Sequence, residues 1–455
     1  MDKLEFENKD QIWEKINLAI KNDQIDHFRA HFLELHPYQQ AQVLQELDST
    51  DRKLVYTYLS PEEMAEILQH VDFEDVGPLF SEMDPRYVAQ ILDDMSTDDA
   101  VDILNYLEKF EVTSYLALMN KQEASEIRRL LQYEERTAGS IMTTEYIVVN
   151  QNMSIKDAMH HLRREAPDAE TIYYIFVVDD DKKLVGVISL RDLIIAEDDW
   201  QVKDMMSERV VYVPVTEDQE TIAKLMRDYD FLALPVVDYK DHLLGIITVD
   251  DILDVMDEEA SDDYSKLAGV TDMNRTDQSA IEAAKKRLPW LIILLFLGMI
   301  TASLIGQFED TLEQVAILAV FIPLIAGMAG NTGTQALAVT VRSIATGEIS
   351  KEGFLTRLKR ESLTGVLTGV TCGIIIVLVV VVWPPGGIYL GLVVGISIVV
   401  SLFVATIAGA FLPILMHKLN VDPAVASGPF ITTINDIIAV IIYFGTATLF
   451  MHLLV

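Results

Sequence analysis

Beyond Arg287 the chain falls into five apolar stretches, roughly 288–306, 315–341, 362–383, 388–416 and 429–453, each meeting or exceeding the ~20 residues that a bilayer core requires. Pro289, Pro323, Pro413 and Pro429 would break water-exposed helices but are tolerated in membrane spans, where neighbours or water satisfy the freed carbonyls. Five transmembrane helices over 288–455 are therefore expected. The first 136 residues carry a different pattern. Written in rows of twelve from Leu35, LHPYQQAQVL through MNKQEASEIR, eight rows fit without a gap. Column one is always apolar (Leu35, Leu47, Leu59, Val71, Met83, Met95, Leu107, Met119), as is column nine (Val43, Val55, Ile67, Leu79, Ile91, Ile103, Tyr115, Ile127). Column two is usually a helix N-cap type: Asp48, Ser60, Asp72, Asp84, Ser96 or Asn120. Each row predicts a turn and a short helix with one apolar side, which is buried only by stacking into an α-superhelical repeat domain. That domain reads as a helical scaffold, with Asp94, Asp98 and Asp99 as its candidates for a chemical role.

Residues 137–257 hold a tandem pair, 137–200 and 201–257. VVDDDKKLVGVIS (177–189) and VVDYKDHLLGIIT (236–248) match in length, in paired valines with Asp, and in a glycine before an apolar strand. Ser189 with Asp192 mirrors Thr248 with Asp251, and Met142 mirrors Met206 once five extra residues near Ala166–Glu170 are allowed in the first copy. Strands such as IFVV and LPVV alternate with helical segments, an α/β arrangement. A connecting region, 250–287, follows. Its DDILDVMDEEASDD (250–263) packs eight carboxylates into fourteen residues. Carboxylates three and four apart on a helix repel, so the run is either a solvated acidic face or a place for hard divalent cations.

Charge sharpens this division. The chain has 70 Asp+Glu against 35 Lys+Arg, a formal charge of −35, yet a mean hydropathy of +0.25. Residues 288–455 hold eight acids and six bases, leaving −33 on residues 1–287. Such a balance excludes a general nucleic-acid binder. The single cysteine, Cys372, rules out an intrachain disulfide, and MDKLEFENKD lacks the apolar core of a signal peptide. Lys285, Lys286 and Arg287 precede span 1, and five bases lie between Arg342 and Arg360, whereas loops 307–314 and 384–387 have none. A cytoplasmic N-terminus and an extracytoplasmic C-terminus are expected.

Within the five stretches Asp436 is the one formally charged residue, and no Lys or Arg within them pairs with it. A carboxylate at that depth costs several kcal/mol unless it is paired or wet, so Asp436 marks either a cation route or an acid kept protonated or capping a broken helix. Thr432, Thr433 and Asn435 add oxygens on the same turns. Span 2 contains GMAGNTGTQALAV (327–339), in which Gly327, Gly330 and Asn331 suggest irregular backbone lining a cavity, or close helix packing. A proton-coupled secondary transporter would call for more titratable groups along the path. A membrane metalloprotease would need a motif such as HExxH, which is absent.

The tandem pair resembles cystathionine-beta-synthase (CBS) domains, marked by glycine, two apolar residues, Ser/Thr, two residues, then Asp. The resemblance implies a nucleotide site, with Ser189 and Asp192 on ribose, Arg191 on phosphate and Tyr174 on the base, and ATP as candidate ligand. Taken whole, with GNTGTQ in span 2, VDPA at 421–424 and a threonine pair before Asp436, the chain resembles the MgtE family of bacterial magnesium channels. Gly428 stands where some members have a polar residue. The resemblance implies no enzyme but a magnesium-selective channel of the plasma membrane, a homodimer with a pore between two copies of spans 2 and 5, and Asp436 holding a hydrated Mg2+. It further implies closure by cytosolic Mg2+ bound to Glu220, Asp230, Asp251 and Asp254, with Glu258, Glu259, Asp262 and Asp263 further along the connector.

Overall fold

A computed structural model describes residues 3–270, 279–346, 348–349, 353–384, 386–419, 421–426 and 428–454. The chain forms two compact units, Met1–Met256 and Asp257–Val455. Part of the expected connecting region, 271–278, lies outside the described residues.

In the first unit the twelve-residue rows become helices that start twelve residues apart: Pro37–Glu46, Ser49–Tyr58, Pro61–Leu68, Phe73–Phe80, Pro85–Asp94, Thr97–Asn105, Lys109–Leu118 and Lys121–Leu130. Every column-nine residue is buried, as are the column-one residues apart from the half-buried Leu35 and Leu107. Alternate helices stack on one another, Pro37–Glu46 on Pro61–Leu68 on Pro85–Asp94 on Lys109–Leu118, so two rows make one structural repeat. The caps act as the column-two pattern predicts at Asp48, Ser60, Asp84 and Asn120, whose side chains accept backbone N–H bonds. Asp72 and Ser96 make no such bond. Ser96 instead donates its hydroxyl to Asp99, so a cap residue is diverted to hold a carboxylate.

Charge pairs fasten rows that are distant in sequence. Arg52 donates from Nε and Nη2 to the two oxygens of Glu82 at 3.0 and 2.8 Å, and Nη1 reaches the Leu47 carbonyl. Tyr56 donates to the same carboxylate at 3.1 Å. Both charged side chains are under one-fifth exposed, and bidentate geometry makes such pairs strong.

The tandem copies form two three-stranded sheets. In the first, β1 (Val148–Asn150) pairs parallel with β2 (Tyr174–Val178), which pairs antiparallel with β3 (Leu184–Ser189). In the second, β4 (Val213–Pro214), β5 (Ala233–Val237) and β6 (Leu243–Thr248) repeat that order. The lead segments are exchanged between the copies. Thr143, sequentially part of the first, bridges Ile246 of the second, while Ser207 bridges Val187 of the first. The motif glycines permit this. A Cβ on Gly186 would stand 2.5 Å from Met206 Sδ, and one on Gly245 would stand 2.6 Å from the Thr143 carbonyl. The copies therefore do not end where the repeat does in sequence. Moreover, the second shares one apolar core with the helical repeats, from Ile16 to Val255, while the first keeps a core of its own. The extra residues of the first copy include a short 3-10 turn, Ala166–Asp168.

The second unit holds five helices long and apolar enough to cross a membrane: Ala280–Gly306, Ala316–Ala345 (opening with a 3-10 stretch to Phe321), Phe354–Val382, Ile388–Lys418 and Gly428–Leu449, called spans 1–5. Of the four prolines singled out in these spans, Pro289 and Pro413 lie inside helices. Pro323 and Pro429 are second residues, where a missing N–H costs nothing. Span 2 runs helically through the GNTGTQ segment, so its glycines serve close packing and not irregular backbone. Span 3 begins at Phe354, two turns before the apolar stretch. It carries Arg357 and Glu361, both buried and 3.2 Å apart, so Asp436 is not the one charge inside these helices. An ion pair buried in protein is invisible to a hydropathy reading. Gly365, Gly369 and Gly373 of span 3 meet the span 4 backbone at Phe403, Val399 and Gly395, which joins these two spans tightly.

The Arg52 guanidinium holds the Glu82 carboxyl down at about 2, from an ordinary 4.5. A depressed carboxylate stabilises the fold above its unfolded value and loses that contribution as pH falls through its folded one. Glu82→Gln should cost about 2 kcal/mol at neutral pH. In thermal unfolding of the purified chain, the gap from wild type should shrink as pH drops from 4.5 toward 2.

Candidate functional site

Two places gather chemistry, one in each unit. In the first unit the helix Thr97–Asn105, the segment around Glu145, the extra residues ending at Glu170 and the start of helix Val249–Ala268 bring carboxylates together. Asp98 is 7% exposed, and its Oδ1 is buried without a hydrogen-bond partner. Burial first, then the charges of Asp251, Asp99 and Glu170, push its carboxyl well above the ordinary range. Burial, with the charges of Asp250 and Asp99, likewise moves Asp251 up to about 7, against the hydroxyl of Thr248, which donates to it at 2.6 Å. Glu145 also rises to about 7, through burial and then Glu170. Asp99 and Glu170 are raised by burial and by Asp250, and Asp99 also by Asp254. Few basic groups answer this negative field, and His70 is one that touches it, acting on Asp99. The second copy's Thr–Asp motif thus faces other carboxylates.

The remaining candidate carboxylates lie differently. Glu220 forms an exposed ion pair with Lys224 at 2.8 Å, and Asp230 closes its helix in the left-handed conformation, φ 55°. Asp262 pairs with Lys266 at 2.8 Å. Glu258, Glu259 and Asp263 also lie on helix Val249–Ala268 and have interactions of their own. Among the described residues no three His, Cys, Asp or Glu side chains converge closely enough to coordinate a bare ion. Asp250 belongs to the acidic run read from the sequence, whereas Glu145 and Glu170 escape a sequence reading. Glu170 comes nearest to being found, because it ends the five-residue excess of the first copy.

In the first copy, Ser189 donates to Asp192 at 2.6 Å and caps its helix through the Asp192 N–H. Arg191 is exposed and Tyr174 half-buried on β2. Tyr174 and Ser189 are register partners on neighbouring strands, and Arg191 and Asp192 follow in the first turn of the next helix. The second copy repeats the hydroxyl–carboxylate bond at Thr248 and Asp251 but has Asp250 where the first has Arg191.

In the second unit, spans 2 and 5 meet face to face. A Cβ on Gly330 would stand 2.7 Å from Thr432 Cγ2 and 3.4 Å from Asp436 Oδ1, and one on Gly333 would collide with the Asn435 amide. The glycines are what admit the polar residues of span 5. Asp436 Oδ1 is buried with no hydrogen-bond partner, and so are both amide atoms of Asn435. Thr334 and Thr432 share a hydroxyl contact of 3.1 Å, while Thr432 and Thr433 donate to the carbonyls of Gly428 and Pro429. A cleft of about 750 Å³ opens beside them, lined among others by Asn331, Thr334, Gln335, Thr432 and Thr433. Gly327 faces open space. The structure therefore gathers Gly330, Asn331, Thr432 and Thr433 about one wall near Asp436 and turns Asn435 into the packing against span 2.

Known proteins match both parts. Family models described as a divalent cation transporter (MgtE), the MgtE intracellular N domain and the CBS domain match residues 322–446, 35–136, and 138–199 with 202–258. A magnesium transporter MgtE of Enterococcus faecalis is 51% identical over 95% of this chain and 96% of its own length. One of Bacillus subtilis is 46% identical over 71% of each. Among solved structures, the soluble part of a magnesium transporter aligns with a TM-score of 0.54 and 49% identity over 55% of this chain and 99% of its own. The cytosolic domain of the Mg2+ channel MgtE in complex with ATP aligns at 0.51 and 38% identity over 53% of this chain and 99% of its own. With its repeat domain, CBS pair and five apolar helices in that order, this chain belongs to the MgtE family of magnesium transporters.

Proposed function

We propose that the chain is a magnesium-selective channel of the cell membrane, closed by cytosolic Mg2+ and modulated by ATP. The observation that carries the reading is the buried, partnerless Asp436 oxygen in a wall of threonines and glycines. A carboxylate in an apolar helix bundle needs a counter-charge, and no fixed cation is bonded to it among the described residues. Magnesium sheds water reluctantly, so two copies of Asp436 facing across a homodimer axis would hold the ion through its waters and select it by charge and hydrated size. The basic residues before span 1 and between spans 2 and 3 favour a cytoplasmic N-terminus and an extracytoplasmic C-terminus.

On this reading the carboxylates around Asp98 and Asp251 are the sensor, with Glu220, Asp230 and Asp254, and with Glu258, Glu259, Asp262 and Asp263 along the connecting helix. Magnesium sheds its water reluctantly, so on this reading these carboxylates hold it through its waters. The mutual repulsion of Asp98, Asp99, Asp251 and Glu170 opposes the compact form of the first unit. Ions that bridge only that form stabilise it, and helix Val249–Ala268, which belongs to both units, carries the consequence toward the spans. A relative crystallised as an ATP complex supports a nucleotide on Tyr174, Ser189, Arg191 and Asp192. Asp250, in place of a guanidinium, leaves the second copy unsuited to phosphate.

Four outcomes test these parts. Asp436→Asn in proteoliposomes should lower magnesium uptake by about tenfold or more, the consequence of losing 1.4 kcal/mol or more of ion binding. Uptake by the wild type should persist with the proton gradient collapsed, and dependence on that gradient would instead favour a carrier. Asp98→Asn should raise the melting temperature in magnesium-free buffer, because it removes an unpaired buried charge, while shrinking the stabilisation that added magnesium confers. Arg191→Ala should weaken ATP binding in calorimetry, whereas Asp250→Ala should not.

A further inference from the structure

The helix Val249–Ala268 carries a dense acidic run and, from Asp250 to Ala268, one basic residue, Lys266. Its ammonium lies between two carboxylates from different segments: Asp262, one turn earlier at 2.8 Å, and Asp422 of the loop between spans 4 and 5 at 2.5 Å. Each of these side chains is about two-thirds buried. The other Asp422 oxygen accepts the Ala424 N–H at 2.8 Å, so a single carboxylate shapes the Pro423–Val425 turn and receives the lysine.

The neighbouring residues anchor the same point. Leu267 packs with Leu337 and Val341 of span 2, Ala424 of the loop and Ile431 of span 5. Gly269, at φ +68°, closes the helix, and the Val270 N–H returns to the Ser265 carbonyl at 2.9 Å. The last turn of a helix also favours a cation. Lys266 therefore joins charge to charge where Leu267 joins apolar surface to apolar surface.

We propose that Lys266 is a positioning residue, a tethered cation that latches the end of the connecting helix to the loop between spans 4 and 5 and so lowers the internal magnesium needed to close the route. The proposal rests on the reading that internal magnesium closes it. An ammonium bridging two carboxylates does at this point what a divalent ion is proposed to do elsewhere, but it stays in place when magnesium falls. It supplies a constant part of the closing free energy, and bound magnesium supplies the rest.

The test uses the full chain in vesicles loaded with graded magnesium, measuring entry of a radioactive magnesium tracer. Lys266→Met should raise the half-inhibiting internal magnesium by about fivefold or more, with uptake at zero internal magnesium unchanged. Lys266→Arg should return it toward wild type. Asp422→Asn, which keeps an oxygen for the Ala424 N–H, should give the same shift, and the double variant no further one. An unchanged or lowered half-inhibiting concentration in Lys266→Met overturns the latch, as does equal loss of uptake at every internal magnesium level. A wild type that internal magnesium does not inhibit overturns the regulatory reading itself, and the latch with it.

Discussion

A carboxylate oxygen buried with nothing to accept from is a standing cost to a fold, and this chain places one in each of its units, at Asp98 and at Asp436. Removing such a charge from water without a partner costs several kcal/mol, far more than one surface ion pair returns. A fold keeps such a group only where a cation from solution completes it or where protonation relieves it. Around Asp98 the neighbours make matters worse, since Asp251, Asp99 and Glu170 all oppose its ionisation. Around Asp436 the neighbours are threonines and glycines that offer dipoles and space but no charge. The two sites share one physical problem in different surroundings, and on the proposed reading the same ion answers both.

The scaffold tolerates this cost because it is fastened elsewhere. In the helical unit, column-nine side chains disappear into a continuous core, and pairs such as Arg52–Glu82 and Arg29–Glu63 cross between rows about thirty residues apart with bidentate geometry. In the membrane unit, stacked glycines bring span 3 onto span 4, while Gly330 and Gly333 bring span 2 onto span 5. Small residues serve fastening in the first pair and access in the second. What differs is the partner: span 4 offers backbone and valines, whereas span 5 offers Thr432, Asn435 and Asp436.

Much of this was legible in residue order because it depends on period. A twelve-residue repeat fixes where helices start, and eight of them start there. Apolar stretches of bilayer length became apolar helices, with spans 1 and 3 each beginning eight residues before the apolar stretch, and span 3 hides the buried pair Arg357–Glu361 in those first turns. The acidic cluster was legible only in part. Asp98 and Asp251 stand out by type and motif, but Glu145 and Glu170 reach it because an exchange of lead segments and a five-residue excess put them there, and neither event has a periodic signature. One cap fails for a local reason. Ser96 has the residue type that starts a helix, yet its hydroxyl is drawn to the carboxylate of Asp99 in the first turn of that helix, in place of a backbone N–H.

The two CBS copies show how little sequence separates anion chemistry from cation chemistry. Both retain a hydroxyl that donates at 2.6 Å to an aspartate three residues on. In the first, the residue between is Arg191, exposed and positively charged, so the edge suits phosphate. In the second it is Asp250, and the aspartate beyond it faces a field of other carboxylates, which on the proposed reading suits a metal ion rather than a nucleotide. The shared bond holds Asp251 as it holds Asp192, and what differs between the copies is the charge around the aspartate. Because Asp251 opens the helix that runs on to Lys266, the copy with Asp250 in place of an arginine is also the one joined by continuous helix to the residues beyond Met256. On the proposed reading, a cation held there would act on the element leading to the spans, whereas a nucleotide held at Arg191 would act through the sheet of the first copy.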